Sequence, residues 1–145
     1  MTAVELITVV VLLVILAAFA IPAMSPVVLQ QRLSGAAWQL GGDLRLARQR
    51  AVTERKRFRV CLINCAISVP AGSYSIERED GGWVSVTGVP NTLPPDVTVT
   101  TTGTATFATN GMASGGTFTV SSIIGSYGIA VASTGRVKVC QGTCP

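Results

Sequence analysis

Histidine is absent from this 145-residue chain, and only 12% of its residues are charged. Without histidine, Ser–His and Cys–His nucleophile pairs cannot form, which removes the commonest hydrolytic and acyl-transfer arrangements. Aromatic residues are sparse too: two Trp, two Tyr and four Phe, with Phe19 alone among the first 37 positions. A continuous path of stacked rings for electron transfer would be hard to build from so few, and the aromatics read instead as core anchors, Trp38 and Trp83 above all. No G-x-x-x-x-G-K-[ST] phosphate loop occurs. Glu77, Glu79 and Asp80 lie close together, but Arg78 interrupts them and Gly81-Gly82 follows. The alternating oxygen ligands of a Ca²⁺ loop are missing, so a solvated hairpin turn is expected there. Neither catalysis nor a bound cofactor or metal is expected.

What is present begins with an apolar run, Leu6 to Ile21, broken only by Thr8 and preceded by a lone carboxylate, Glu5. An ionisable group at membrane depth costs about 2.5–3.5 kcal/mol even on lenient insertion scales, and so marks a functional site. The nearest cation in sequence is the α-amino group of Met1. Both groups sit at one end of the same helix, so a second copy of the chain offers its amine equally well, and self-assembly is the expectation. Ala18-Phe19-Ala20 has the small-residue pattern of a signal-peptide cleavage site, but no Lys or Arg precedes the run. Leu6 to Ile21 is also somewhat short of the ~20 residues of a membrane span, a length reached by extension through Val28.

The remaining sequence is organised by a change of period. Ala37, Trp38, Leu40, Leu44, Ala47 and Ala51 recur at helical spacing, which extends the N-terminal helix into the head, to about residue 56. Pro22 and Pro26 argue against a uniform rod, and a kink or melted stretch is expected near Pro22. After Arg55 the period approaches two. Candidate strands are 58–63, 73–77, 83–86, 97–100, 104–108, 117–121, 128–132 and 136–140, separated by Gly, Pro and Asn turns. The predicted fold is α+β: a long N-terminal helix, kinked near Pro22, packed against an antiparallel head of one or two small sheets. Residues 1–28 form the hydrophobic assembly or transmembrane helix and residues 29–145 the head.

Four cysteines fall as two pairs, Cys61/Cys65 and Cys140/Cys144. An even count behind a membrane-inserting N-terminus favours disulfides. Two C-x-x-x-C pairs could also converge on a zinc ion. Of the three connectivities, two local loops are favoured because each closes a short segment at a strand end; a crossed pairing stays open. Charge is concentrated between Asp43 and Arg59, where seven basic residues face two acids.

Met1-Thr2-Ala3-Val4-Glu5-Leu6 and the apolar run after it resemble the mature N-terminus of type IV pilins and pseudopilins. Asp43 to Ala51, Phe107 to Gly111, Gly116 to Val120 and Ser133 to Val137 narrow the resemblance to H-type pseudopilins of type II secretion and FimT-like minor pilins; residues 63–95 match nothing. The resemblance implies that Met1, where the family usually has Phe, is the first residue after leader cleavage and is N-methylated, and that Glu5 neutralises a neighbour's terminal amine during assembly. It also implies a structural subunit of an extracellular pilus-like or periplasm-spanning secretion filament, held in the inner membrane beforehand. Its partners would be copies of itself and the assembly machinery. A low-copy subunit that primes or caps a filament is the alternative. DNA binding during uptake is the other expectation the resemblance carries: Gly135-Arg136-Val137-Lys138 is similar to the C-terminal Gly-Arg-x-Arg of FimT-like minor pilins, with lysine in place of the second arginine. Lys keeps the charge but loses the planar fork that grips phosphate. Arg45, Arg48 and Arg55 on the helix are the other candidate phosphate contacts.

Overall fold

A computed structural model describes the backbone of residues 2–23 and 25–144 and the side chains of residues 2–16 and 26–144. Two helices open the chain, α1 (Ala3–Ala23) and α2 (Ser25–Glu54). The first turn of α1 is closed by Glu5 and Leu6 N–H groups donating to the Thr2 carbonyl, and the Thr8 hydroxyl bonds back to the Glu5 carbonyl at 2.8 Å. Pro22 lies in the last turn of α1. Where the kink is expected, the backbone stays helical through Pro22 to Ala23, and residue 24, between the two helices, lies outside the described residues. Pro26 is the second residue of α2, where a missing N–H leaves no hydrogen bond unmade. Arg55 ends α2 at φ +52, the left-handed position that usually takes glycine.

The buried stripe of α2 is built from Leu33, Ala36, Ala37, Leu40, Leu44, Ala47 and Ala51, at intervals of three and four. Leu40 and Leu44 are fully covered, which contributes about 1.5–3 kcal/mol each. The small residues let strands approach closely: a Cβ on Gly41 would lie 2.8 Å from Val139 Cγ2. Trp38, expected as a core anchor, instead points outward at 56% exposure. It falls between the positions that the 3.6-residue repeat turns inward.

Among the described residues nine strands follow: β1 (Phe58–Cys61), β2 (Ser73–Glu79), β3 (Trp83–Ser85), β4 (Asn91–Thr92), β5 (Thr98–Thr101), β6 (Ala105–Phe107), β7 (Gly116–Ser122), β8 (Gly125–Val131) and β9 (Val137–Gln141). They form two antiparallel sheets. One runs β3-β2-β1-β6, with β4 also on β2; the other runs β5-β7-β8-β9. Helix α2 packs against β1 of the first sheet and β7, β8 and β9 of the second. Phe58, Val60, Tyr74, Phe107, Phe118, Val120 and Ile129 complete one core beneath it. The architecture is thus a long N-terminal helical region on antiparallel sheets. Asn91–Thr92, expected as part of a turn, is a short strand because Ser73 and Tyr74 pair with it.

Candidate functional site

Two surfaces stand out, the bare face of α1 and the basic residues of the head. On α1, every described side chain from Val4 to Leu16 is exposed, including Leu6 at 57%, Leu12 at 61% and Leu16 at 66%. Among the described residues no helix is long and apolar enough to cross a membrane, so the span expected within 1–28 is not found there. Glu5 is exposed on the first turn of this helix. Its expected partner, Met1, lies outside the described residues.

The basic residues expected to bind phosphate differ in how far the fold engages them. Arg48 is engaged within the chain: its Nε donates to the Gly111 carbonyl at 3.0 Å and its Nη2 to the Thr134 carbonyl at 3.3 Å. These bonds clamp two loops that already touch, since a Cβ on Gly135 would collide with the Gly111 carbonyl oxygen. That contact requires glycine at 135, while Gly111 holds a left-handed backbone at φ +80. Arg45 and Arg55 are exposed on α2 and at its end. Arg136 and Lys138 are exposed as well, but they alternate with Val137, which is buried, and Val139, which meets Gly41. They therefore project from the face of the second sheet opposite α2, beside a depression of about 390 Å³ floored by Gly116, Thr117 and Ala130 to Ala132. Arg48 reaches the turn just before Arg136, where its guanidinium is held by the Thr134 carbonyl.

The cysteines form two local disulfides, Cys61–Cys65 and Cys140–Cys144. The first closes the loop after β1; the second folds the C-terminal segment over Gly128, where a Cβ would be 2.8 Å from the Gly142 carbonyl oxygen. No four-thiol cluster exists among the described residues. The Cys61 and Cys65 sulfurs and a Glu77 oxygen lie within 4.8 Å of one another, yet the sulfurs are bonded together and the carboxylate is occupied. Glu77, expected in a solvated turn, is completely buried in β2. Its oxygens accept from Arg59 at 2.7 Å, on the facing strand β1, and from the Ala66 N–H. The Arg59 guanidinium lies over Trp83, 4.2 Å from the ring centroid. Such a pair is retained through its hydrogen bonds, since desolvation offsets much of the attraction.

A second polar peg fixes the sheet to α2. The Tyr74 hydroxyl donates to Asp43 Oδ2 at 2.5 Å, and Asn91 Nδ2 donates to the same oxygen at 3.3 Å. Burial first, then the adjacent carboxylate, pushes the Tyr74 hydroxyl well above the ordinary tyrosine range. At the far end of α2, Asp80 is held below the usual carboxylate range by its bond from Lys56, with Arg78 adding to the effect. Tyr74 ties the first sheet to α2 through Asp43, and Asp80 ties the β2–β3 turn to the end of α2 through Lys56.

This architecture has solved counterparts. The type IV minor pilin FimU of Pseudomonas aeruginosa is similar over 73% of this chain and 90% of its own, with 18% identity and a TM-score of 0.56. The minor pseudopilin EpsH from the type II secretion system of Vibrio cholerae is similar over 76% of this chain and 97% of its own, with 13% identity and a TM-score of 0.62. At these identities the likeness shows a shared fold. No curated protein matches by sequence. Residues 36–139, most of α2's buried stripe and nearly the whole sheet region, match the family described as type II transport protein GspH, and the chain belongs to that family.

Proposed function

We propose that the chain is a structural, non-catalytic subunit of a helical filament of the type IV pilus or type II secretion class, present in low copy and priming or capping a polymer of another subunit. The observation that carries this reading is the bare apolar surface of α1, exposed from Val4 to Leu16 on a chain whose head covers its own core. Surface of that kind marks an interaction site. In the filament, neighbouring N-terminal helices cover it; before assembly, the inner membrane does. The contact between successive subunits is heterologous and does not close on itself, so it propagates. Glu5 sets the register by accepting the terminal amine of a neighbour. GspH membership and the likeness to a minor pilin and a minor pseudopilin support the low-copy role over that of principal building block.

Glu5→Ala tests the pairing. The variant should keep the urea midpoint of the head while its recovery in sheared filaments drops roughly tenfold, the loss of about one charge-assisted contact. Unchanged incorporation would remove Glu5 from the mechanism. Subunit abundance in the same filaments separates the low-copy role from the principal one.

A second reading, DNA capture, is favoured by the placement of Arg136 and Lys138 together on an open face. Two phosphate contacts give a shallow dependence of affinity on salt, a log–log slope near −2. Filter binding with Arg136→Ala and Lys138→Ala tests it: a slope unchanged by both substitutions would discard this face as the contact.

A further inference from the structure

The hairpin joining β7 to β8 turns through two residues, Ile123 and Ile124, between the paired Ser122 and Gly125. Two-residue connections normally take Gly, Asn or Asp, for conformational freedom or local hydrogen bonding. Here the tip carries two β-branched apolar side chains, exposed by 89% and 40%. Neither turn chemistry nor the core accounts for them.

Their height on the head is fixed by two contacts. Thr98, the first residue of β5, pairs with Ser121, two residues before the tip, and Asp96 lies in the turn that leads into β5. The Asp96 carboxylate accepts from Arg32 Nη1 on α2 at 2.7 Å. Arg32 in turn follows the exposed Val27 and Val28 by one helical turn, ~6 Å. The isoleucine tip therefore lies at the end of the head from which the apolar helix departs, about one turn above the last apolar residues of that stretch. The residues flanking it in the hairpin, Ser121, Ser122, Gly125 and Ser126, are small and uncharged, and the nearby charges of Arg32 and Asp96 are paired with each other.

We infer that Ile123 and Ile124 form a second contact with a lipid bilayer, seating the base of the head on the membrane surface while α1 is inserted. The inference rests on the proposed membrane stage of α1. The tip enters the boundary between headgroups and acyl chains, where apolar side chains on an otherwise polar surface bind. It sets the tilt of the head before assembly and is released when the subunit leaves the membrane.

The test uses the full chain reconstituted in phosphatidylethanolamine/phosphatidylglycerol vesicles, with a photoreactive diazirine amino acid in place of Ile123. A control chain carries it in place of Val84, which is 48% exposed and pairs with Arg78 at the opposite end of the head. Lipid adducts at position 123 should exceed those at position 84 by roughly tenfold, since only the first site reaches the interface. Adducts to a second protein chain at position 123, or equal lipid labelling at the two sites, would overturn the inference. Carbonate extraction separates the two levels of failure: a chain washed off the vesicles defeats the membrane stage and the inference together, whereas a retained chain with no lipid adduct at 123 defeats the inference alone.

Discussion

Helices α1 and α2 are neighbours in the chain, and both carry long sets of aliphatic and small residues. They differ in where that surface goes. On α2, Leu40, Leu44, Ala47 and Ala51 are fully covered by the chain's own strands; on α1, Val4, Leu12 and Leu16 all exceed 60% exposure. The polar–apolar pattern explains the division. Arginines and glutamines alternate with the apolar stripe of α2 and leave one face for the sheets, whereas α1 is apolar around its circumference, apart from Glu5 and Thr8. A helix apolar on all sides is satisfied only by an apolar surrounding. The head is thus a folding unit, and α1 is an interaction element attached to it.

The largest test of that division is a pair of identical truncations. Leu44→Ala should lower head stability by about 2–5 kcal/mol in urea unfolding, through lost burial and a cavity. Leu12→Ala should change the same midpoint by less than ~0.5 kcal/mol and reduce filament incorporation instead. Equal effects on the head would erase the distinction. Arg59→Ala comes next: it strands the buried Glu77 carboxylate and should cost about 3 kcal/mol, measured the same way. A loss below ~1 kcal/mol would mean that the Ala66 N–H and penetrating water suffice.

Alkaline titration reads the peg between α2 and the first sheet. Because the folded-state value of Tyr74 lies above its unfolded value near 10, its contribution is complete below about pH 10. The contribution then falls as pH rises beyond that, by at most ~1.4 kcal/mol per pH unit. Tyr74→Phe should flatten this limb of the stability curve between about pH 9.5 and 11; an unaltered limb would point to another titrating group. The smallest effect is expected at the end of α2. Arg55→Gly relieves a left-handed non-glycine residue and should raise the thermal midpoint by the equivalent of about 1 kcal/mol or less.

Elements with a period were readable from the residues alone. The stripe from Ala37 to Ala51 and eight of the nine strands follow from spacing and turn residues. Of the three possible cysteine connectivities, the structure holds the one with two local bonds. What escaped depended on register or on backbone acceptors, which leave no pattern along the chain. The burial of Glu77 follows from its position opposite Arg59, a relation only strand pairing creates. Arg48 reads as one more surface cation, because the carbonyls of Gly111 and Thr134 that it grips are contributed by the backbone. The turn at Ile123-Ile124 carried no turn residues. Trp38 shows the reverse error: an aromatic weight suggested burial, while its angular position on α2 put it outside. For the candidate site, the apolar run and Glu5 were plain in sequence, but the engagement of Arg48 by the Gly111 and Thr134 carbonyls was not.

The seating of α2 across both sheets also determines how the subunit carries load. Tension delivered at Ser25 enters a helix gripped along its length by β1, β7, β8 and β9, so it acts as shear spread over the whole interface and does not peel strands apart one at a time. The two disulfides close only short local loops and lie outside that load path. Resistance to pulling therefore resides in the close fit of small residues such as Gly41 against Val139, and a methyl group added there would weaken the subunit as a mechanical link before it changed its shape.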